Sequence, residues 1–145
     1  MEITSKELQI NKLQQVLKLT FGIVPIAAGA DKFLNLLTQW DEYLSPGLAG
    51  LLPISASTFM MVVGVVEIVA GILVFTKTRL GAYIVSAWLV LIALSLLFTW
   101  HHVDVAVRDL VMAVAAFTLA KLTEISVSQP TNRRYGKLEV QSQNP

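Results

Sequence analysis

Apolar residues in this chain do not alternate with polar ones; they come in long runs with charges gathered at their ends. From Leu80 to Trp100, LGAYIVSAWLVLIALSLLFTW, 21 residues pass with no ionisable acid or base except Tyr83. A helix rising ~1.5 Å per residue crosses a ~30 Å hydrocarbon layer in that length. Phe59 to Phe75 is a second run of 17 residues, interrupted only by Glu67 near its middle. Leu19–Ala30 and Leu110–Ala120 are shorter apolar cores flanked by charges, and extended to Leu13–Leu37 and Val103–Leu122 they also reach spanning length. The pattern predicts an all-α membrane protein, a four-transmembrane-helix up-down bundle over residues 13–122. Residues 1–12 are expected to form a cytoplasmic interfacial segment, and 123–145 a mobile cytoplasmic tail.

Composition agrees with that class. The 145 residues are 54% hydrophobic and only 14% charged, with a mean hydropathy of +0.64, far from the mix of a soluble domain. The first 18 residues lack the basic start, short apolar core and cleavage site of a secretory signal, so the first helix is expected to be retained. Thr4-x-x-Glu7 fits a capping box for a short leading helix. Pro25 frees the carbonyl of Phe21 and predicts a kink in helix one.

If the four helices alternate in direction, Lys6, Lys12, Lys18, Lys77, Arg79, Lys121, Arg133, Arg134 and Lys137 share one side of the membrane. They are nine of the eleven basic residues. Excess basic residues mark cytoplasmic loops, so both termini are placed inside and Thr38–Thr58 with His101–Asp104 outside. In the outer loop Trp40 and Tyr43 suit the headgroup layer. Leu48, Leu51 and Leu52 are spaced for a half-buried helical turn, so the loop is expected to lie over the bundle as an interfacial or re-entrant cover.

The chemistry concentrates on a few charges. Gly64, Glu67 and Gly71 fall at i, i+3 and i+7, so the acid shares a face with two residues that admit a neighbouring backbone. Gly22, Pro25, Gly29 and Lys32 form a stripe on helix one, and Asp109, Ala113, Ala116 and Ala120 form one on helix four. A charge at mid-bilayer costs on the order of 3 kcal/mol on insertion scales, so Glu67 is expected to be paired, protonated or solvated. Lys32 and Arg108 are its expected partners, balanced by Asp31 and Asp109. That buried polar cluster either fixes the bundle's register, forms a site for a substrate, quinone or proton, or receives a partner.

Trp100, His101 and His102, at the outer interface, are a second candidate for a quinone headgroup or an interfacial anchor. Adjacent histidines do not share a helix face, so no metal site is expected from them. There are no cysteines, which excludes disulfides, cysteine-ligated clusters and covalent c-type haem. No G-x-G-x-x-G fingerprint occurs, no serine or threonine has an acid–base partner at hydrolase spacing, and the basic runs are too short for nucleic acid. The isolated chain is expected to hold no tightly bound redox cofactor and to show no turnover of its own.

Taken in order, LKLTFGIVPIAAGADKF, FMMVVGVVEIVAGILVFTKTRLGAY and VAVRDLVMAVAAF resemble the DoxX family of small four-helix membrane proteins, over about Val16 to Leu122. The positions that carry the likeness are Lys18, Gly29 with Lys32, Gly64 with Glu67, Arg79 with Gly81, and Arg108 with Asp109. The first of these is commonly arginine in the family. The resemblance implies a bacterial or archaeal cytoplasmic membrane protein, an accessory subunit among the other membrane subunits of a quinone-linked respiratory or redox complex. A small proton-coupled transporter using Glu67 and a scaffold without ligand are the alternatives.

Overall fold

A computed structural model describes residues 2–44, 46–100 and 102–127. Among these residues the chain is helical, with four long helices: α1 (Glu2–Leu34), α3 (Ala56–Thr76), α4 (Thr78–Phe98) and α5 (Val103–Val127). A 3₁₀ turn at Trp40–Tyr43 and a single-turn α2 (Pro46–Ala49) lie between α1 and α3. Three helical stretches are long and apolar enough to cross a membrane: Glu7–Leu34, Ala56–Thr76 and Thr78–Phe98. Outward-facing Val62, Val65, Val69, Ile72, Leu80, Ile84 and Leu94 are all exposed, an apolar mantle of the kind that lipid covers.

The helix ends have local causes. Asn35 takes a left-handed φ of 49° and its N–H reaches the Asp31 carbonyl at 2.7 Å, which stops α1. Ser55 caps α3, its Oγ accepting the Thr58 N–H at 3.2 Å, which satisfies one of the orphan amides of the first turn. A single residue, Lys77, separates α3 from α4. The hairpin is that tight because Gly81 has no side chain: a Cβ there would run into the backbone of Leu73 and Val74.

The four long helices associate as two close antiparallel pairs. Between α1 and α3 the contact is made by glycines seven apart on each helix. A Cβ on Gly29 would come within 2.5 Å of the Gly64 carbonyl, and one on Gly71 within 2.6 Å of the Gly22 carbonyl, so the backbones themselves are in contact. The α4–α5 pair uses alanines instead: Ala82 and Ala93 face a helix whose Ala106, Ala113, Ala116 and Ala120 are buried, and Ser86 Oγ donates to the Ala113 carbonyl at 2.9 Å.

The pairs share their larger buried core toward one end. Phe21, Ala70, Val74, Ala82, Val85, Ala116, Leu119 and Ala120 form a shared core toward the Lys77 end. There Gln14 Nε2 donates to Thr123 Oγ1 and Ser126 Oγ donates to Gln14 Oε1, both at 3.1 Å. Toward the other end the buried cluster is Ala93, Leu96 and Ala106, from α4 and α5 alone. The pairs splay apart there, and the gap becomes a chamber.

Several boundaries differ from those the pattern predicts. Residues 2–12 continue α1 without a break, and Thr4 lies within that helix. Pro25 sits within α1 without ending it. Helix five runs to Val127, past the expected start of the tail at 123; Arg133, Arg134 and the rest of that tail, like His101, lie outside the described residues. Of the leucines expected to form a half-buried turn, Leu51 is 82% exposed and Leu52 is half-buried; Leu44, after the 3₁₀ turn, is buried.

Candidate functional site

The chamber occupies about 780 Å³, in the upper part of the ~300–1,000 Å³ range of small-molecule sites. Its walls come from all four long helices and its roof from Trp40, Tyr43 and Leu44. Most of the lining is apolar, including Phe21, Pro25, Met60, Val63, Leu89 and Met112; the polar side chains are Lys32, Glu67, Trp88, Arg108 and Asp109, with Trp40 and the hydroxyls of Thr38, Tyr43, Ser95 and Thr99. Ile23, Val24 and Leu91 line it and remain exposed, so the chamber is continuous with the apolar surface of the bundle.

Lys32 Nζ donates to Glu67 Oε2 at 2.7 Å, with the two side chains 4% and 11% exposed. The glycine register sets this geometry: Gly29 and Gly64 are each one helical turn before a member of the pair, so both side chains leave the same seam and enter the chamber together. Lys32 also lies 3.6 Å from the centroid of the Trp40 ring, a cation–π contact that keeps the ammonium partnered on its upper side. The Trp88 indole nitrogen is buried beside the Glu67 carboxylate, outside regular hydrogen-bond geometry.

The rest of the expected cluster divides. Arg108 lines the chamber but is exposed and forms no ion pair among the described residues; the splay of the two helix pairs leaves Glu67 to Lys32 alone. Asp109 is 8% exposed and makes no hydrogen bond among the described residues, while the charges of Arg108, Glu67 and Lys32 all bear on it. Its oxygens are not among the solvent-sealed atoms that lack partners, so the carboxylate is reached from the chamber. Asp31 balances neither base: it accepts the N–H groups of Leu36 and Leu37 at 3.0 and 3.1 Å and the Trp40 indole N–H at 2.7 Å. Its role is to tie the roof to the end of α1.

At the roof end of the bundle His102 stacks on Tyr43, ring centroids 4.6 Å apart and 26° from parallel, which joins the roof to the α4–α5 turn. Trp100 points away, 78% exposed, and is not part of the chamber. Both residues have positive φ, 55° at Trp100 and 50° at His102, an uncommon backbone state that forms the tight turn between the two helices. No group of three or more metal-ligating side chains occurs among the described residues.

Sequence reasoning missed Trp88 and the lower cluster around Glu124. Trp88 carried a signal, since an indole at mid-run rather than at an interface needs a partner for its N–H. Near the Lys77 end, Glu124 accepts from Tyr83 Oη at 2.9 Å and Lys121 Nζ at 3.0 Å, with Arg79 Nε at 3.2 Å. Those contacts depend on the pairing of α4 with α5, which no short motif records. Lys18 lines a separate shallow groove of about 280 Å³ with Asn11, Gln14, Gln15 and Thr78, away from the chamber. Comparison with protein-family models, with curated proteins and with solved structures finds no match for this chain.

Proposed function

We propose that this chain is a four-span membrane protein that holds a quinone-type amphiphile between its two helix pairs, as an accessory subunit of a quinone-linked redox complex. The observation that carries the reading is the chamber itself: apolar walls continuous with the bundle surface, and a set of charged groups, Lys32, Glu67, Arg108 and Asp109, among its lining. A quinone needs an apolar slot and a few polar groups, and reaches such a slot from the bilayer. The DoxX-like order of motifs is the reason for placing it in a prokaryotic cytoplasmic membrane beside redox partners. In this reading α5 is the fourth span, its Arg108 and Asp109 turned toward the chamber, and the nine basic residues of the Lys77 side face the cytoplasm.

Two observations weigh against the alternatives. A proton-coupled carrier would need Glu67 to exchange a proton for a cationic substrate, whereas Lys32 holds the carboxylate at 2.7 Å. A scaffold would gain from filling the chamber, because unfilled interior volume forfeits packing energy. Native purification from the membrane, followed by identification of co-purifying proteins and extraction of bound quinone, tests the proposal. The expected result is a stoichiometric quinone and at least one redox subunit; a chain that purifies alone and lipid-clean would overturn it.

A further inference from the structure

The chamber is formally neutral as built: Lys32 against Glu67, Arg108 against Asp109. A charged occupant would bring an uncompensated charge into a low-dielectric space, at a cost that a neutral one avoids. Beside the hydroxyl side chains of Thr38, Tyr43, Ser95 and Thr99, two charged groups remain available to an occupant. Arg108 offers guanidinium N–H donors and is not engaged in an ion pair among the described residues. Asp109 offers a carboxylate that accepts nothing, although the residue is 92% buried by its 8% exposure. Glu67 accepts from Lys32 through Oε2.

From this asymmetry we infer that the chamber is a site for a neutral amphiphile whose headgroup donates a hydrogen bond to Asp109 while accepting from Arg108, and so prefers the reduced, hydroquinone form over the quinone. The inference rests on the function proposed above and deepens it. A quinone head carries only acceptors, so it satisfies Arg108 and leaves Asp109 facing a carbonyl oxygen. A hydroquinone hydroxyl both donates and accepts, and satisfies both groups at once. Buried acceptors left unmatched are what make such sites discriminate strongly between otherwise similar ligands. Trp88 is not the donor, since its N–H is sealed from the chamber beside Glu67. The apolar tail runs past Ile23, Val24 and Leu91, where the chamber reaches the bundle surface.

The test uses the full-length protein in detergent or nanodiscs under anaerobic conditions, with a short-tailed benzoquinone, its hydroquinone and the dimethyl ether of that hydroquinone, titrated calorimetrically. Hydrogen bonds to charged groups stabilise by about 1.5–3 kcal/mol, so the hydroquinone is expected to bind roughly 10- to 100-fold more tightly than the quinone. The dimethyl ether, which has lost its donors, binds as weakly as the quinone. Asp109→Asn, whose amide can donate, narrows the preference by raising quinone affinity and lowering hydroquinone affinity. The wild-type ligand series needs no variant, so the inference stays testable if Asp109→Asn misfolds. Equal binding of all three ligands would overturn the role of Asp109 and leave the quinone site standing; no binding of any of them would overturn both.

Discussion

Gly29 and Gly64 lie backbone against backbone, and each precedes one member of the Lys32–Glu67 ion pair by three residues. A methyl group on Gly64 would meet the Gly29 carbonyl at 2.6 Å and the Lys32 Cβ at 3.1 Å. Helix seam and ion pair are therefore one construction. Gly64→Ala should destabilise the protein by about 1–3 kcal/mol through overpacking, although the same change in an open helix would stabilise it by about 0.5–1 kcal/mol. The sign of the shift in detergent melting temperature decides: a rise would mean that the helices do not approach this closely.

Lys32→Ala strands a buried carboxylate and should cost about 3–5 kcal/mol. Glu67→Gln should be milder, because the ammonium keeps its place over the Trp40 ring and the amide carbonyl still accepts its hydrogen bond. Arg108→Ala should change stability by less than about 0.5 kcal/mol, since it removes an exposed group with no ion pair. Melting temperatures of the three variants check the order, and a neutral Lys32→Ala would sink it.

Asp31 holds the roof through two backbone amides and one indole N–H. Asp31→Ala should free the segment between Asn35 and Ser55, cost about 1–3 kcal/mol, and speed its proteolysis at unchanged protease concentration. Asp31→Asn, which keeps one acceptor, should fall between. Equal cleavage rates in all three proteins would show that the roof is held by other contacts.

Glu124 lies beyond the apolar part of α5, and donation from Lys121 and Tyr83 holds its carboxyl below the usual carboxylate range. A lowered folded-state value means that its contribution is present above the unfolded value, about 4.3, and is lost as pH falls through the folded one. The melting-temperature gap between wild type and Glu124→Gln should therefore be largest near neutrality and shrink as the pH falls below the unfolded value and through the folded one. A gap independent of pH would mean that packing, not charge, makes the contribution.

Cysteines introduced at Asp41 and Lys77 should label from opposite membrane faces, the latter from the cytoplasm. Labelling of both from one face would remove the alternating four-span topology.

What could be read from the sequence was what depends on periodicity. Glycines at a spacing of seven on two helices foretold a close seam, and three-residue offsets placed Lys32 and Glu67 on it. The alanine stripe below Asp109 was legible for the same reason. Asp31 was not, because its partners arrive only when the chain reverses after Asn35, and sequence spacing does not say which way a loop folds. Arg108 was misread because its distance from Glu67 is set by the splay of the pairs, a property of the whole assembly. Tyr43 against His102 joins two loops whose contact no local pattern encodes.

The absence of a side chain at Gly81 makes the α3–α4 hairpin a fulcrum. The core shared by the two pairs lies toward its end of the bundle, and the Tyr43–His102 stack joins the roof to the α4–α5 turn at the far end. A rotation of about 5° at the Gly81 end, carried along a helix ~30 Å long, moves the other end by about 2.5 Å. A small change in the packing at that joint is thus magnified at the chamber, which Gly81 does not line.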